Sequence, residues 1–325
     1  KLVDELQRNL PPTGRLVLLS GTPHQGHGAR FENLLKLLRG PAEPEDAVRG
    51  RVIYRTKEDI KDWDGHPVFP HRDVRKAVTV DLGPEYRAWL ENTYDFFEPG
   101  RREGSGRDAR RRAAGWRCSQ ALQWATSSVR AGLGYLVRQG IRGGLDATFA
   151  PMRAGLEALR PYRNGRADEP VQDLFVRMRR EVGLSDESAT VEDIESELDG
   201  DGDAWKVDTA KLAALLEEGV RLLARAPDLK WDALRERILG GLGDEKVVLF
   251  AQPIETVTDL ALYLERKTGK RPALIIGGQT EEQRTREIDA FWRPDGPQFL
   301  VSSRAGGEGL NLQVARRLVH VDVPW

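Results

Sequence analysis

A single cysteine, Cys118, stands in 325 residues. No disulfide can form within the chain, and a reducing, cytoplasmic setting is expected rather than a secreted one. No apolar run approaches the roughly 18–20 residues of a membrane span. The opening residues, KLVDELQRNL, lack the pattern of a signal peptide. Charge of one sign is also missing. Lys and Arg total 50 against 51 Asp and Glu, for a net charge of −1. That balance excludes a histone-like polycation but not a local basic surface, because net charge averages over all faces. Lysine itself is scarce, at 11 residues beside 39 arginines, a skew that reflects a GC-rich genome more often than function. The length suits two or three domains.

What is present divides into three regions, 1–83, 84–243 and 244–325. In the first, residues 15–20 (RLVLLS) form a short continuous apolar run that closes on Gly21–Thr22–Pro23. Such a run predicts a buried parallel strand. Residues 29–39 place Phe31, Leu34, Leu35 and Leu38 at helical spacing ahead of Gly40 and Pro41, which predicts an amphipathic helix. Residues 73–82 alternate and read as a strand. The middle region reads as mainly helical, with Gly/Arg-rich breaks at 100–107 and 140–144. Trp116, Trp124, Trp205 and Trp231 are expected in its core. Residues 101–117 carry seven Arg and two acids, and 186–203 carry nine acids and no base. Both suit solvated faces or loops. The basic run is also suited to nucleic-acid phosphate, the acidic one to a linker or a partner surface.

The last region alternates strands and helices. Strands are predicted at 246–250, 272–277, 298–302 and 318–321, and helices at 254–268 and 280–292. The second helix opens on TEEQ, a Thr-x-x-Gln capping box. This order implies a parallel α/β sheet with right-handed crossovers, whose ligands lie beyond the carboxyl ends of the strands. Two loops leave such strand ends. SSRAGGEGLNLQ (302–313) holds Gly306, Gly307 and Gly309, which permit close backbone approach to a phosphate, flanked by Ser302, Ser303 and Asn311. SGTPHQG (20–26) offers the hydroxyls of Ser20 and Thr22 on a tight turn stiffened by Pro23. Alone, each is as well explained as a plain strand-to-helix connection.

Their order is more specific. SGTPHQG, FENLLKLL, FAQ (250–252), GGQT (277–280), SSRAGGEGLNLQ and VDVPW, in succession, resemble the Swi/Snf-type ATPases of helicase superfamily II. The resemblance covers about 15–40 and 246–325 well and the middle loosely. The TPHQG spelling looks like a bacterial branch that includes RapA-like ATPases. Residues 54–72 look closest to anti-phage defence helicases of the DISARM type. The fold so implied is α/β: RecA-like parallel-sheet lobes, the end of the first and most of the second, separated by a mainly helical insertion. The resemblance also implies ATP and Mg²⁺ as cofactors and double-stranded DNA as partner, contacted mainly through its backbone. An RNA polymerase or a defence complex is a further partner of this kind. Ser20, Gly21, Thr22 and Pro23 would couple nucleotide state to DNA contact. Gly307 and Gly309 would line the ATP cleft. Gln252, Gly278, Thr280, Ser302 and Ser303 would lie near DNA phosphates. Arg304 fits the same loop pattern.

The departures matter equally. No G-x-x-x-x-G-K-[ST] loop occurs, and Thr268–Gly269–Lys270–Arg271 is not one. Asp4–Glu5–Leu6–Gln7 matches a Walker B motif by letters only, since no apolar strand precedes it. The arginine motif expected beyond VDVPW is missing. The Mg²⁺ ligand, phosphate-gripping lysine and arginine finger of phosphoryl transfer are therefore expected outside these residues, in a larger enzyme. A zinc site from His24, His27, His66, His71 and Cys118 lacks the paired cysteines such sites use, so no metal site is expected. His320 is expected as a core histidine. The function implied is an ATP-dependent DNA translocase or helicase-like motor that remodels DNA or DNA-bound proteins; the alternative is a helicase-derived scaffold without hydrolysis.

Overall fold

A computed structural model describes residues 5, 9, 11, 14, 17–19, 28–38, 43–44, 48, 50–98, 107–183, 207–225, 229–303 and 310–322. The chain divides into two compact units, Lys1–Ala77 and Val78–Trp325.

In the first unit, helix α1 spans Gly28–Leu37, as its apolar spacing predicts. Arg51 grips Glu43 with two nitrogens, at 2.6 and 2.5 Å, and donates to the Leu38 carbonyl at 2.9 Å. The Asp62 carboxylate accepts the N–H groups of Asp64 and His66 and fixes a turn, closed by a bridge between Lys61 and Pro67. Two expected strands are corrected. Residues 17–19 lie in no strand, and Val17 and Leu19 are 74% and 92% exposed. Residues 73–82 form no ladder either, with Val74 and Val78 exposed. An apolar or alternating run becomes a strand only where a neighbouring strand takes up its N–H and C=O groups. Among the described residues neither run has such a neighbour.

The second unit begins with helices. These are α2 (Gly83–Phe97), α3 (Arg107–Ser127), α4 (Val129–Arg142), α5 (Ala150–Ala158), α6 (Val171–Val182), α7 (Thr209–Arg225) and α8 (Leu229–Leu234), the last running into a π turn at Arg235–Leu239. Their shared core gathers Trp89, Leu133, Leu136, Met152, Leu174, Leu212 and Leu216. Trp89 also donates its indole N–H to the Leu215 carbonyl at 3.0 Å, so the ring is buried without leaving a polar atom unpaired. Helix α4 starts where the Ser128 hydroxyl accepts the Ala131 N–H, an N-cap. It continues through Gly140 to Arg142, so the break expected at 140–144 begins only at Gly143.

One tryptophan is corrected. Trp116 is 49% exposed. Helix α3 turns Cys118, Ala121 and Ala125 inward, and Trp116, two residues before Cys118, points away from that face. Small residues face inward because rings from α2 fill the space: the Tyr86 hydroxyl donates to the Ala125 carbonyl. Trp231 is buried, as expected. Trp205 and residues 186–203 lie outside the described residues.

The sheet follows: β1 (Val247–Phe250), α9 (Ile254–Thr268), β2 (Ala273–Ile275), α10 (Glu281–Trp292), β3 (Phe299–Ser302) and β4 (Arg317–His320). All pairings are parallel, in the order β2-β3-β1-β4. Alternate residues serve opposite faces. Val247 and Leu249 pack with Val257, Leu260 and Leu264 of α9; Val248 packs with Ile275, Leu300 and Phe291 of α10. Coverage on both faces is why these strands read as continuous apolar runs. The fold is thus mixed α/β with a parallel sheet. Strand β4 is one of the two edges, paired with β1 alone. His320 is therefore exposed, not core, and stacks on Phe250 with ring centres 5.7 Å apart.

Candidate functional site

Parallel strands joined by crossovers deliver all their carboxyl ends to one edge. Strands β2 and β3 are neighbours there, with Ile275 opposite Ser302. The Ser303 N–H extends that ladder by donating to the Ile275 carbonyl at 2.8 Å. The turn after β2 and the loop after β3 therefore leave the sheet side by side.

The turn is locked by its own side chains. Gln279 folds back: its Oε1 accepts the Ile276 N–H at 2.9 Å, and its Nε2 donates to the Leu274 carbonyl at 3.0 Å. Gly278 holds a left-handed φ of 79° and is exposed. Thr280 is the N-cap of α10, and the predicted capping box is formed. Its Oγ1 accepts the Gln283 N–H at 3.2 Å, and Gln283 Oε1 accepts the Thr280 N–H at 3.0 Å. Accepting that bond leaves the hydroxyl proton to be donated outward, and Thr280 is exposed.

The other expected contacts stand differently. Ser302 is fully buried and donates its hydroxyl to the Ser303 carbonyl at 2.8 Å, so as placed it offers no hydroxyl at the surface. Ser303 is buried too, at 7% exposure. Gln252 is exposed beyond β1, but its Oε1 accepts from Gln123 Nε2 at 2.7 Å, which leaves its own N–H₂ as donor. Ser20, Gly21, Thr22, Pro23, Arg304, Gly307 and Gly309 lie outside the described residues.

One centre at this edge went unseen in the sequence. Asp322, just past β4, accepts the Gln252 N–H at 3.0 Å and the Ser127 hydroxyl at 2.9 Å, and pairs with Lys230 at 3.3 Å. The Thr256 hydroxyl meets those of Ser127 at 2.7 Å and Ser128 at 2.9 Å. The α3–α4 junction is thereby fastened to the β1–β4 half of the edge, while the β2–β3 half presents Gly278 and Thr280. Burial pushes the Lys230 ammonium below its ordinary pKa, and Asp322 pulls it back. Nearby, Arg130 pairs with Asp259 at 2.7 Å, and Arg138 with the buried Glu255 at 2.6 Å. Burial pushes Glu255 above the usual carboxylate range against the pull of Arg138.

Residues 230–325 match the helicase conserved C-terminal domain family. The chain is 30% identical over 112 residues to the putative ATP-dependent helicase/translocase YwqA of Bacillus subtilis, covering 34% of this chain and 12% of that protein. It is 39% identical over 84 residues to a DNA repair and recombination protein RAD54-like of Drosophila willistoni, covering 25% and 11%. It is 38% identical over 82 residues to the nuclear protein STH1/NPS1 of Saccharomyces cerevisiae, covering 25% and 6%. The chain thus spans about a tenth or less of these relatives. Among solved structures, the Sulfolobus solfataricus SWI2/SNF2 ATPase C-terminal domain aligns at 21% identity and a TM-score of 0.28, over 41% of this chain and 64% of that one. Residues 230–325 therefore carry a helicase C-terminal domain, homologous to SNF2-family ATPases. No helix among the described residues is long and apolar enough to cross a membrane.

Proposed function

We propose that this chain is part of an ATP-dependent motor that moves along double-stranded DNA and remodels DNA or proteins bound to it. The observation that carries the reading is a coincidence of place. The helicase C-terminal domain at 230–325 contains the parallel sheet whose carboxyl edge presents Gly278 and Thr280 beside the start of the Ser302–Ser303 loop. Residues 1–83 would be the end of a first lobe, 84–243 a helical insertion, and 244–325 a second lobe.

In this reading Thr280 donates its hydroxyl proton to a phosphate oxygen, Gly278 lets the backbone come close, and Gln252 offers its amide from the neighbouring strand. Ser302 and Ser303 set the start of the glycine loop. Contacts of this kind read no base, so binding is independent of sequence and weakened by salt. Gly307 and Gly309 would line the nucleotide cleft, and Ser20–Gly21–Thr22–Pro23 would couple it to DNA. ATP with Mg²⁺ supplies the free energy of hydrolysis when bound. The likeness of the TPHQG spelling and of residues 54–72 to bacterial and defence-island ATPases supports a bacterial enzyme with a role in anti-phage defence, and the single cysteine supports a cytoplasmic one.

The test is titration of labelled duplexes of unrelated sequence at one fixed salt concentration. A hydrogen bond to a charged group contributes about 1.5–3 kcal/mol. Thr280→Ala should therefore weaken binding roughly tenfold or more, equally for every duplex, while Thr280→Ser, which keeps cap and hydroxyl, should not. Unchanged affinity with a lowered melting temperature would reduce Thr280 to a helix cap. A loss confined to one DNA sequence would contradict backbone contact.

A further inference from the structure

Between the turn after β2 and the segment joining α5 to α6 lies a cavity of about 270 Å³. Arg163, Asn164 and Arg177 form one wall, and Gly278, Gln279 and Gln283 the other. No aspartate or glutamate lines it. The carboxylates that pair with the arginines stand outside the lining: Glu181 is 3.2 Å from Arg163 Nη1, and Glu169 is 2.7 Å from Arg177 Nη2. Each pairing engages one nitrogen of a guanidinium that carries five N–H donors. Both side chains are about one-third exposed, at 34% and 37%, so neither head is sealed away.

The arginines are held in position. Both guanidinium groups lie over the Tyr162 ring, 5.6 and 5.7 Å from its centre. The Tyr162 hydroxyl in turn donates to Glu181 at 2.9 Å and accepts from Arg138 at 2.7 Å. Arg163 has a φ of 56°, and among the described residues no other non-glycine residue has a positive φ. An arginine rarely adopts this conformation, and the contacts around Tyr162 hold it there. On the opposite wall, a Cβ added at Gly278 would lie 3.3 Å from Arg163 Nη1. The guanidinium therefore rests across the bare backbone of the turn, two residues ahead of Thr280.

We infer that this cavity binds a phosphate of the DNA backbone, gripped by Arg163 and Arg177 from the helical side and by Gln283 and the Gly278 turn from the sheet side. The inference rests on the DNA-backbone reading of the sheet edge and extends it to residues of the helical region. Two guanidinium groups that keep N–H donors beyond their ion pairs favour an anion in the cavity, and the position beside Thr280 makes that anion the neighbour of the phosphate Thr280 would meet.

The experiment measures duplex affinity of the full chain over a salt series. Arg163→Asn removes the charge with a residue that tolerates the left-handed backbone. It should weaken binding roughly tenfold and lower the slope of log affinity against log salt by about one. Glu181→Gln removes the competing carboxylate and should tighten binding. A merely structural ion pair predicts otherwise: both variants would melt earlier, and neither would change affinity or slope. That result would overturn the inference. If Thr280→Ala weakens binding while Arg163→Asn leaves affinity and slope intact, the cavity assignment fails and the DNA reading stands. If neither variant changes binding, both fail. A third arm adds inorganic phosphate at constant ionic strength. Phosphate binding that needs Arg163 while DNA affinity does not would make this a free-phosphate site and overturn the backbone assignment.

Discussion

Gly278 meets two demands that no other residue meets together: a φ of 79° and a bare surface for the Arg163 guanidinium. Gly278→Ala should cost about 1–2 kcal/mol through the left-handed backbone, read as a lower midpoint in chemical denaturation, and should also weaken duplex binding. Asp322 is the complementary case, a charge whose partner is largely withdrawn from solvent. Asp322→Ala leaves the Lys230 ammonium without its carboxylate, bonded to backbone carbonyls, and should destabilise the fold by about 3 kcal/mol. The pH dependence has a definite sign. Burial holds the folded Lys230 pKa below its unfolded value, so the unfolded chain binds more protons between the two. Stability from this group rises as pH climbs through that alkaline window and is lost as pH falls through the folded pKa. Removing Asp322 depresses that pKa further, so denaturation midpoints taken across alkaline pH should climb more steeply in the variant.

Between elements, α4 is fixed on α9 by Arg138 and Glu255. A Cβ on Gly134 would overlap the Glu255 carboxylate, so α4 leaves room for that charge. Removing one member of a buried pair is costly, whereas replacing both with apolar residues is often neutral. Arg138→Met alone should lose about 3 kcal/mol; Arg138→Met with Glu255→Leu should recover most of it in the same denaturation assay. If the double variant is as unstable as the single, the pair is not what holds the two helices. The helices and strands of the second unit were legible because their signals are local. The Thr280–Gln283 box starts α10 unaided, and the run at Val247–Phe250 lies within β1. Residues 15–20 have the same apolar composition, yet their described part is no strand, since strand pairing is decided by residues elsewhere in the chain. The Asp322 centre was illegible for the same reason: Ser127 and Lys230 lie 195 and 92 residues from it. Trp116 misled because bulk suggests a core, whereas α3 turns its alanines inward to the rings of α2.

At the scale of the whole molecule, the sequence contains no phosphate-gripping P-loop. The 325-residue polypeptide should therefore show no DNA-stimulated ATP hydrolysis, while it binds duplexes without sequence preference. Turnover by this polypeptide, cleared of contaminant by a variant control, would overturn that account. The bond between Ser127 and Asp322 carries a further consequence, one of timing. It joins residues 195 positions apart, with helices α4 to α10 and all four strands of the sheet between them in the chain. Contacts this distant in sequence close large loops and tend to form late on the way to the native state. An interaction absent from the transition state acts on escape from the native basin rather than on entry to it. Asp322→Ala should therefore leave the refolding limb of a chevron almost unmoved and raise the unfolding limb. The bond that fastens the helices to the sheet would then set how long a folded molecule survives, more than how quickly one is made.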